Sequence, residues 1–299
     1  MSRGAASVAL SCALLTGCLA HHTGPMPGEP RDARFAAVRG ARVRYVDEGQ
    51  GPPVVLVHGF ASSLDAWAGV RPALRGTHRV IALDLKGFGW TDRPPGDYSA
   101  DEQARIVLAL MDELDVESAA IVGHSWGGSV ALSLALHAPH RVTRLALYDA
   151  WVYEEQLPTF FHWAKVGGVG EILFGAFYDQ RPEDRMARAF FDPAAIDQAL
   201  VDDVEAALDR PGTRAAALAA VRGMRYAHVE DRYPTIAQPV LLLWGREDAV
   251  TPLEHGERLV AELPQAELRV FPRCGHFPMI EARNASNRAL VRFLAEPAQ

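Results

Sequence analysis

Of the three cysteines in this 299-residue chain, Cys12 and Cys18 sit near the start, which leaves Cys274 alone in the body. No disulfide can close within the body, so the fold must rest on its hydrophobic core. A basic surplus is also missing: 30 Lys and Arg face 37 Asp and Glu, for a net charge of −7. Phosphate binding needs a basic face, so nucleic acid is not an expected partner. There is no G-x-x-x-x-G-K loop and no H-E-x-x-H pair, so neither a nucleotide, a metal nor any other cofactor is expected. The body shows no internal repeat and no low-complexity segment. What is present is 49% apolar and 22% charged residues, the balance of a globular protein with a real core. The length suits one large α/β domain or two modest ones.

The first residues form a unit of their own. Arg3 precedes "GAASVALSCALL", a short apolar run, and then "TGC". A charged start, a brief hydrophobic segment and small residues read as a secretory signal, too short for a spanning helix of about 20 residues. Leu15–Cys18, "LTGC", resembles the bacterial lipobox. That resemblance implies removal of residues 1–17, export to a bacterial cell envelope and a membrane anchor through lipid on Cys18; a plain signal peptide cut elsewhere is the alternative. Residues 18–33 are rich in Pro and Gly and lack periodicity, so they read as a flexible tether that would reach about 50 Å if extended. The adjacent His21 and His22 read as incidental, not as a metal site.

From residue 34 strand-like and helix-like segments alternate. "PPVVLVHG", "RVIALDL", "AAIVG", "RLALYD" and "PVLLLWG" are short continuous apolar runs of the kind buried parallel strands show, and "ARVRYVDEG" alternates. Ser99 to Glu102 forms a capping box, followed by an apolar stripe of Ile106, Val107, Leu110, Met111 and Leu114. Thr251 to Glu254 reads as a second capping box with proline at the first helical position. The pattern predicts an α/β fold with a mainly parallel, doubly wound sheet, whose ligands sit beyond the carboxyl ends of the strands. Residues 151–234 break the alternation with helical, aromatic-rich sequence. They read as a helical insertion after the sixth core strand, leaving 34–150 and 235–299 as the core.

Gly123-His124-Ser125-Trp126-Gly127 fits G-x-S-x-G after a predicted strand and before a predicted helix. The glycines answer to crowding, because a strand turning straight into a helix presses those two positions against backbone. Ser125 is the candidate nucleophile, and a hydroxyl needs a base and an orienting acid to act. His276, in the loop "RCGHFPMIE", is the candidate base. His78, His137, His140 and His255 read as surface or helix-end residues, and His124 cannot easily reach its neighbour's hydroxyl. Asp248 in "LLLWGREDAVTP" is the candidate acid, with Asp149 at the end of the sixth strand as the alternative; both keep the order Ser, Asp, His. The N–H groups of Trp126 and Phe60 are the candidate oxyanion donors, and His58 reads as a brace for the Phe60 loop.

Taken in order, "VLVHGF", "ALDLKGFGWTDRP", "IVGHSWGG", "LLLWGREDAVTP" and "CGHFPMIE" resemble the consecutive motifs of the α/β-hydrolase family over residues 41–294, the insertion apart. The resemblance implies an eight-stranded sheet, a helical cap, and Ser125, Asp248 and His276 as a triad with Phe60 and Trp126 at the oxyanion hole. A serine nucleophile sets aside the haloalkane dehalogenases and epoxide hydrolases of this fold, which use aspartate. "HGFAS" departs from the HGGPG of proline iminopeptidases. The leading expectation is an ester hydrolase for a small to medium, modestly apolar substrate. Carbon–carbon bond hydrolysis, acyl transfer and cofactor-free perhydrolysis use the same triad. A non-catalytic, lipid-anchored binding protein is the rival of another class. The oligomeric state and the substrate-contacting residues are not written in the sequence.

Overall fold

The computed structural model describes residues 19–178, 182–227 and 229–296. The apolar runs become β1 (Arg34–Val38), β2 (Ala41–Glu48), β3 (Pro53–Val57), β4 (Arg79–Leu83), β5 (Ala119–His124), β6 (Val142–Tyr148), β7 (Val240–Gly245) and β8 (Ala266–Phe271). They form one eight-stranded sheet in the order β1-β2-β4-β3-β5-β6-β7-β8. β2 pairs antiparallel with β1 and β4, and every other pairing is parallel. Arg39 and Gly40, at φ 48° and 75°, close the β1–β2 hairpin; successive positive φ values are what a two-residue turn needs.

The sheet separates two apolar layers, and the period-two pleat of a strand divides its side chains between them. Val55 and Val57 of β3 join the layer that continues into the segment between β6 and β7, while Val54 and Leu56 pack against Trp67, Leu74 and Phe293 on the opposite side. The helix Trp126–His137 is buried along almost its whole length, as an apolar helix without a polar face must be. The helix Ala100–Glu113 buries Ile106, Val107, Leu110 and Met111, the stripe its spacing announces. Ser99 caps it by accepting the Glu102 N–H at 3.3 Å. The Glu102 carboxylate does not return to Ser99 but pairs with Arg39 at 2.9 Å.

Between β6 and β7 run the helices Thr159–Ala164, Val169–Phe177, Pro182–Ala189, Gln198–Asp209 and Thr213–Gly223. Trp151, Phe161, Phe174 and Leu218 of this insertion share one buried cluster with the sheet. The cap therefore has no separate core, and most of its aromatic side chains fill the seam.

Residues 19–33, read from composition as a tether, are seated on the core. His22 and Arg93 exchange backbone hydrogen bonds at 3.1 and 2.7 Å. Gly24 N–H donates to Asp92 at 2.9 Å, Glu29 pairs with Arg42 at 2.9 Å, and Met26 is buried. Composition missed this because the partners Asp92 and Arg93 lie far along the chain. Among the described residues no helix is long and apolar enough to cross a membrane.

Candidate active site

Ser125 lies between the last residue of β5 and the first of the helix Trp126–His137, at φ 52° and ψ −122°. A non-glycine residue there is strained by on the order of 1 kcal/mol, so its surroundings must hold it. They do: Ser125 N–H donates to Tyr148 O at 2.9 Å, and Ser125 O accepts from Gly128 and Trp151 at 2.9 and 3.0 Å. The flanking glycines are there for space. A Cβ on Gly123 would strike the Gly127 carbonyl, and one on Gly127 would strike the Val57 carbonyl. The turn aims the serine side chain past the carboxyl end of the sheet, where β3, β6, β7 and β8 deliver the other candidates.

His276 follows β8 and Asp248 follows β7. Asp248 Oδ2 lies 2.7 Å from His276 Nδ1, and each residue is only 5% exposed. The carboxylate is fully engaged. Oδ1 accepts from Val250 and Thr251 N–H at 2.7 and 3.0 Å, and Oδ2 takes the Thr251 hydroxyl at 2.6 Å as well as the imidazole. Burial pushes its pKa up, but His276 and the Thr251 donors outweigh burial and hold it below the usual aspartate value. Held this way, the imidazole carries its proton on Nδ1 and leaves Nε2 free to accept one. Among the described residues the Ser125 hydroxyl makes no hydrogen bond to His276, a common state for such groups before substrate is bound.

Thr251 departs from its expected part. Its helix, Leu253–Glu262, has no side-chain cap, and the hydroxyl donates to Asp248 instead. The cap position falls on Pro252, so Thr251 stands one residue too early to cap, and its hydroxyl hydrogen goes to the buried carboxylate.

Asp149, the alternative acid, ends β6 at φ 41° and is completely buried. Its Oδ1 accepts Gly245 N–H at 2.8 Å, while its Oδ2 is buried without a donor. Burial raises its pKa well above the usual value, and the neighbouring Asp248 charge adds to the rise. Of two adjacent carboxyls, the one with four donors has its charged form favoured and the one with a single donor has it disfavoured. The structure brings Asp248, not Asp149, to the imidazole.

Two histidines support the loops. His58 Nδ1 donates to Gly59 O at 2.7 Å, and its Nε2 accepts Leu85 N–H at 2.9 Å, which needs a neutral ring. Burial lowers its pKa accordingly. His124 Nε2 donates to the His276 carbonyl at 2.8 Å, with the two rings 4.8 Å apart. Burial, then the nearby His276, lowers its pKa to about 3, so it is a neutral prop under the His276 loop. His78 and His255, read as surface or helix-end residues, are 6% and 8% exposed, and His255 lies in the first turn of the helix Leu253–Glu262.

The His58–Gly59–Phe60 loop runs against the serine: a Cβ on Gly59 would sit 3.0 Å from Ser125 Cβ. Neither Phe60 N–H nor Trp126 N–H donates to another group among the described residues. They are thus two unengaged donors on either side of the Ser125 turn. Above them the cap closes. Phe60 packs edge-on against Phe161, Tyr178 and Trp126, and Ser125 is 5% exposed. A cavity of about 700 Å³ lies elsewhere, between the Trp126–His137 helix and the cap helix Thr213–Gly223; Trp126 lines it, but Ser125, Asp248 and His276 do not.

Glu281 is the residue the sequence reading passed over. Its carboxylate accepts N–H groups from Gly275 at 3.0 Å and Phe277 at 3.3 Å, on both sides of His276, and from cap residue Phe191 at 2.7 Å. His276 N–H itself donates to the cap carbonyl of Ala189 at 2.7 Å. Cap and imidazole loop are therefore tied through one carboxylate. "CGHFPMIE" contains Glu281, but only the folded loop shows which N–H groups it collects.

The family described as alpha/beta hydrolase fold matches residues 52–185 and 173–283. The chain is 34% identical over 279 residues to 2-hydroxy-6-oxo-2,4-heptadienoate hydrolase of Pseudomonas putida, covering 88% of this chain and 96% of that one. It resembles the solved structure of a meta-cleavage product hydrolase from Pseudomonas fluorescens, with a TM-score of 0.73, 31% identity, and 88% and 97% of the two chains covered. It also resembles a thermophilic esterase from Thermogutta terrifontis, with a TM-score of 0.73, 26% identity, and 88% and 96% covered. The eight-stranded sheet, the strained serine turn after β5 and these matches lead to one assignment: the chain belongs to the α/β-hydrolase family.

Proposed function

We propose that this hydrolase cleaves carboxylic esters through an acyl-enzyme on Ser125. The hydroxyl attacks the ester carbonyl while His276 Nε2 takes its proton, and Asp248 stabilises the imidazolium that forms. Phe60 and Trp126 N–H groups receive the negative oxygen of the tetrahedral intermediate, each worth about 3 kcal/mol in the transition state. Collapse expels the alcohol, which takes the proton back from His276. Water, deprotonated by the same imidazole, then releases the acid and restores the serine. The observation that carries this reading is the 2.7 Å contact of a fully hydrogen-bonded Asp248 with His276, beside a serine held at positive φ. The aromatic groups gathered around Phe60, among them Phe161 and Tyr178, favour a modestly apolar acyl chain.

A second reading is carbon–carbon bond hydrolysis. It is favoured by the Pseudomonas putida relative, named as a 2-hydroxy-6-oxo-2,4-heptadienoate hydrolase. The same three side chains would serve, with a carbon leaving group in place of the alcohol.

Labelling with a fluorophosphonate tests the shared part: one equivalent should bind, and Ser125→Ala should abolish it. No labelling of the native chain would instead favour a binding protein without chemistry. Turnover of nitrophenyl esters of rising chain length, against a 2-hydroxy-6-oxo-dienoate, then separates the two readings. A dienoate kcat/KM far above that of every ester would overturn the ester assignment.

A further inference from the structure

Six large apolar side chains are exposed among the described residues, and all six belong to the cap: Trp163, Val166, Val169, Ile172, Phe177 and Phe191. Four of them, Trp163, Val166, Val169 and Ile172, follow one another at three-residue steps. They run from the end of the helix Thr159–Ala164 across a turn into the helix Val169–Phe177. The same two helices send Phe161, Ala164 and Phe174 inward to the buried cluster. Their inner face is thus satisfied, and the outer face of this corner has no partner. Isolated exposed apolar residues mean little, but a run of them with tryptophan, rimmed by charge, marks a surface that meets something apolar.

The path of the N-terminus says what that is. Because residues 19–33 are fixed to the core, the chain has no slack there. Leu19 lines the 700 Å³ cavity together with Glu171 and Arg222. Glu171 immediately precedes Ile172, so Leu19, the first described residue, opens onto the same cavity as the helix that carries the apolar corner. The residue before Leu19 is Cys18, on which the lipobox resemblance places a lipid anchor. A membrane that holds the segment before Leu19 would meet the rim of this cavity, to which the helix Val169–Phe177 contributes Glu171.

We infer that the outer face of the cap, formed by Trp163, Val166, Val169 and Ile172, docks on a lipid bilayer beside the N-terminal segment. The nearby charges are already matched. Lys165 pairs with Glu154 at 2.9 Å, and Arg222 with Glu171 at 2.8 Å. Attraction to acidic headgroups is therefore not what holds the surface, so neutral phosphatidylcholine suffices and salt has little effect. Tryptophan suits the interface, with an apolar ring and a polar N–H at headgroup level. This inference does not depend on which bond the enzyme cleaves.

Trp163 is its own reporter. It is 59% exposed, whereas Trp67, Trp126 and Trp244 are fully buried, Trp151 is 6% exposed, and Trp90 is half-buried under the Arg210 guanidinium. The full chain would be bound to phosphatidylcholine vesicles, with co-sedimentation reporting anchoring and quenching by brominated phosphatidylcholine reporting contact of the cap. Quenching is expected in the native chain and lost in Trp163→Phe. Ile172→Asp should cut it about threefold or more by placing a charge at the interface, while soluble-ester turnover and thermal unfolding stay unchanged. A chain that sediments with vesicles but whose quenching matches that of Trp163→Phe overturns the inference, as does a chain that does not sediment. A dimer in sedimentation velocity that Ile172→Asp dissociates also overturns it, because a second copy would then cover the patch.

Discussion

β6 and β7 are neighbours in the sheet, and each is followed by a buried aspartate, yet the two carboxyls have their pKa values moved in opposite directions. Asp149 follows β6 directly and receives one backbone N–H on one oxygen. Asp248 follows β7 after a short loop that supplies two N–H groups, the Thr251 hydroxyl and the imidazole. Burial raises the pKa of both, but only Asp248 has enough donors to overcome it. What separates the two carboxyls here is the local supply of donors, not depth of burial or position in the sheet.

The most severe challenge to this contrast is Asp248→Asn. The amide cannot hold the required imidazole tautomer, and kcat on a nitrophenyl ester should fall about 10⁴-fold. A loss of similar size in Asp149→Asn, with Asp248→Asn nearly active, would reverse the assignment.

Thr251 sharpens the contrast, since its hydroxyl donates to Asp248 Oδ2 and also lies 3.1 Å from the Asp149 carbonyl oxygen. Thr251→Val keeps the shape and removes the donor. It should lower kcat/KM roughly tenfold, the scale of one hydrogen bond to a charged group. Its pH–rate profile should lose activity at the acid end sooner than the native one, because Asp248 is then protonated more readily. An unchanged profile would show that the backbone N–H groups alone keep Asp248 ionised.

Glu281→Gln tests whether the His276 loop depends on the cap. The amide cannot accept from three N–H groups as a carboxylate does, so kcat/KM should drop by about fivefold, within the 1–3 kcal/mol range of unsatisfied buried donors. Native values with an unchanged melting temperature would show that Phe191 and the imidazole loop are placed independently.

The smallest expected change in activity is that of Asp149→Asn. An amide resembles a protonated acid, so kcat/KM should stay within about threefold. Stability carries the signal. Asp149 has its pKa raised in the folded protein, so its contribution is complete below the ordinary carboxylate value and is lost as pH rises towards the raised one. Asparagine does not titrate. The stability of the variant relative to the native chain should therefore rise from pH 4 to pH 8. Denaturant unfolding at the two pH values measures this, and equal stability at both would mean that Asp149 is ionised.

Much of the site was legible in the sequence because its signals are local. Gly123 and Gly127 bracket Ser125 where the backbone leaves no room for a Cβ. The runs that became β3, β5, β6 and β7 are continuous because both faces of a central parallel strand are buried. Thr251 was legible only as a helix cap, since its real acceptor depends on how the β7 loop folds back. The segment 19–33 looked slack because its partners, Arg42, Asp92 and Arg93, are distant in sequence.

The sequence by itself determined the alternation of strands and helices, the serine turn and the order of the reactive residue types, since each depends on neighbours within a few positions. Only the tertiary structure decided which aspartate meets His276, that one carboxylate ties cap to imidazole loop, and that an apolar corner of the cap is left exposed. Those outcomes turn on how many donors and how much apolar surface distant segments bring together, and packing alone sets that count.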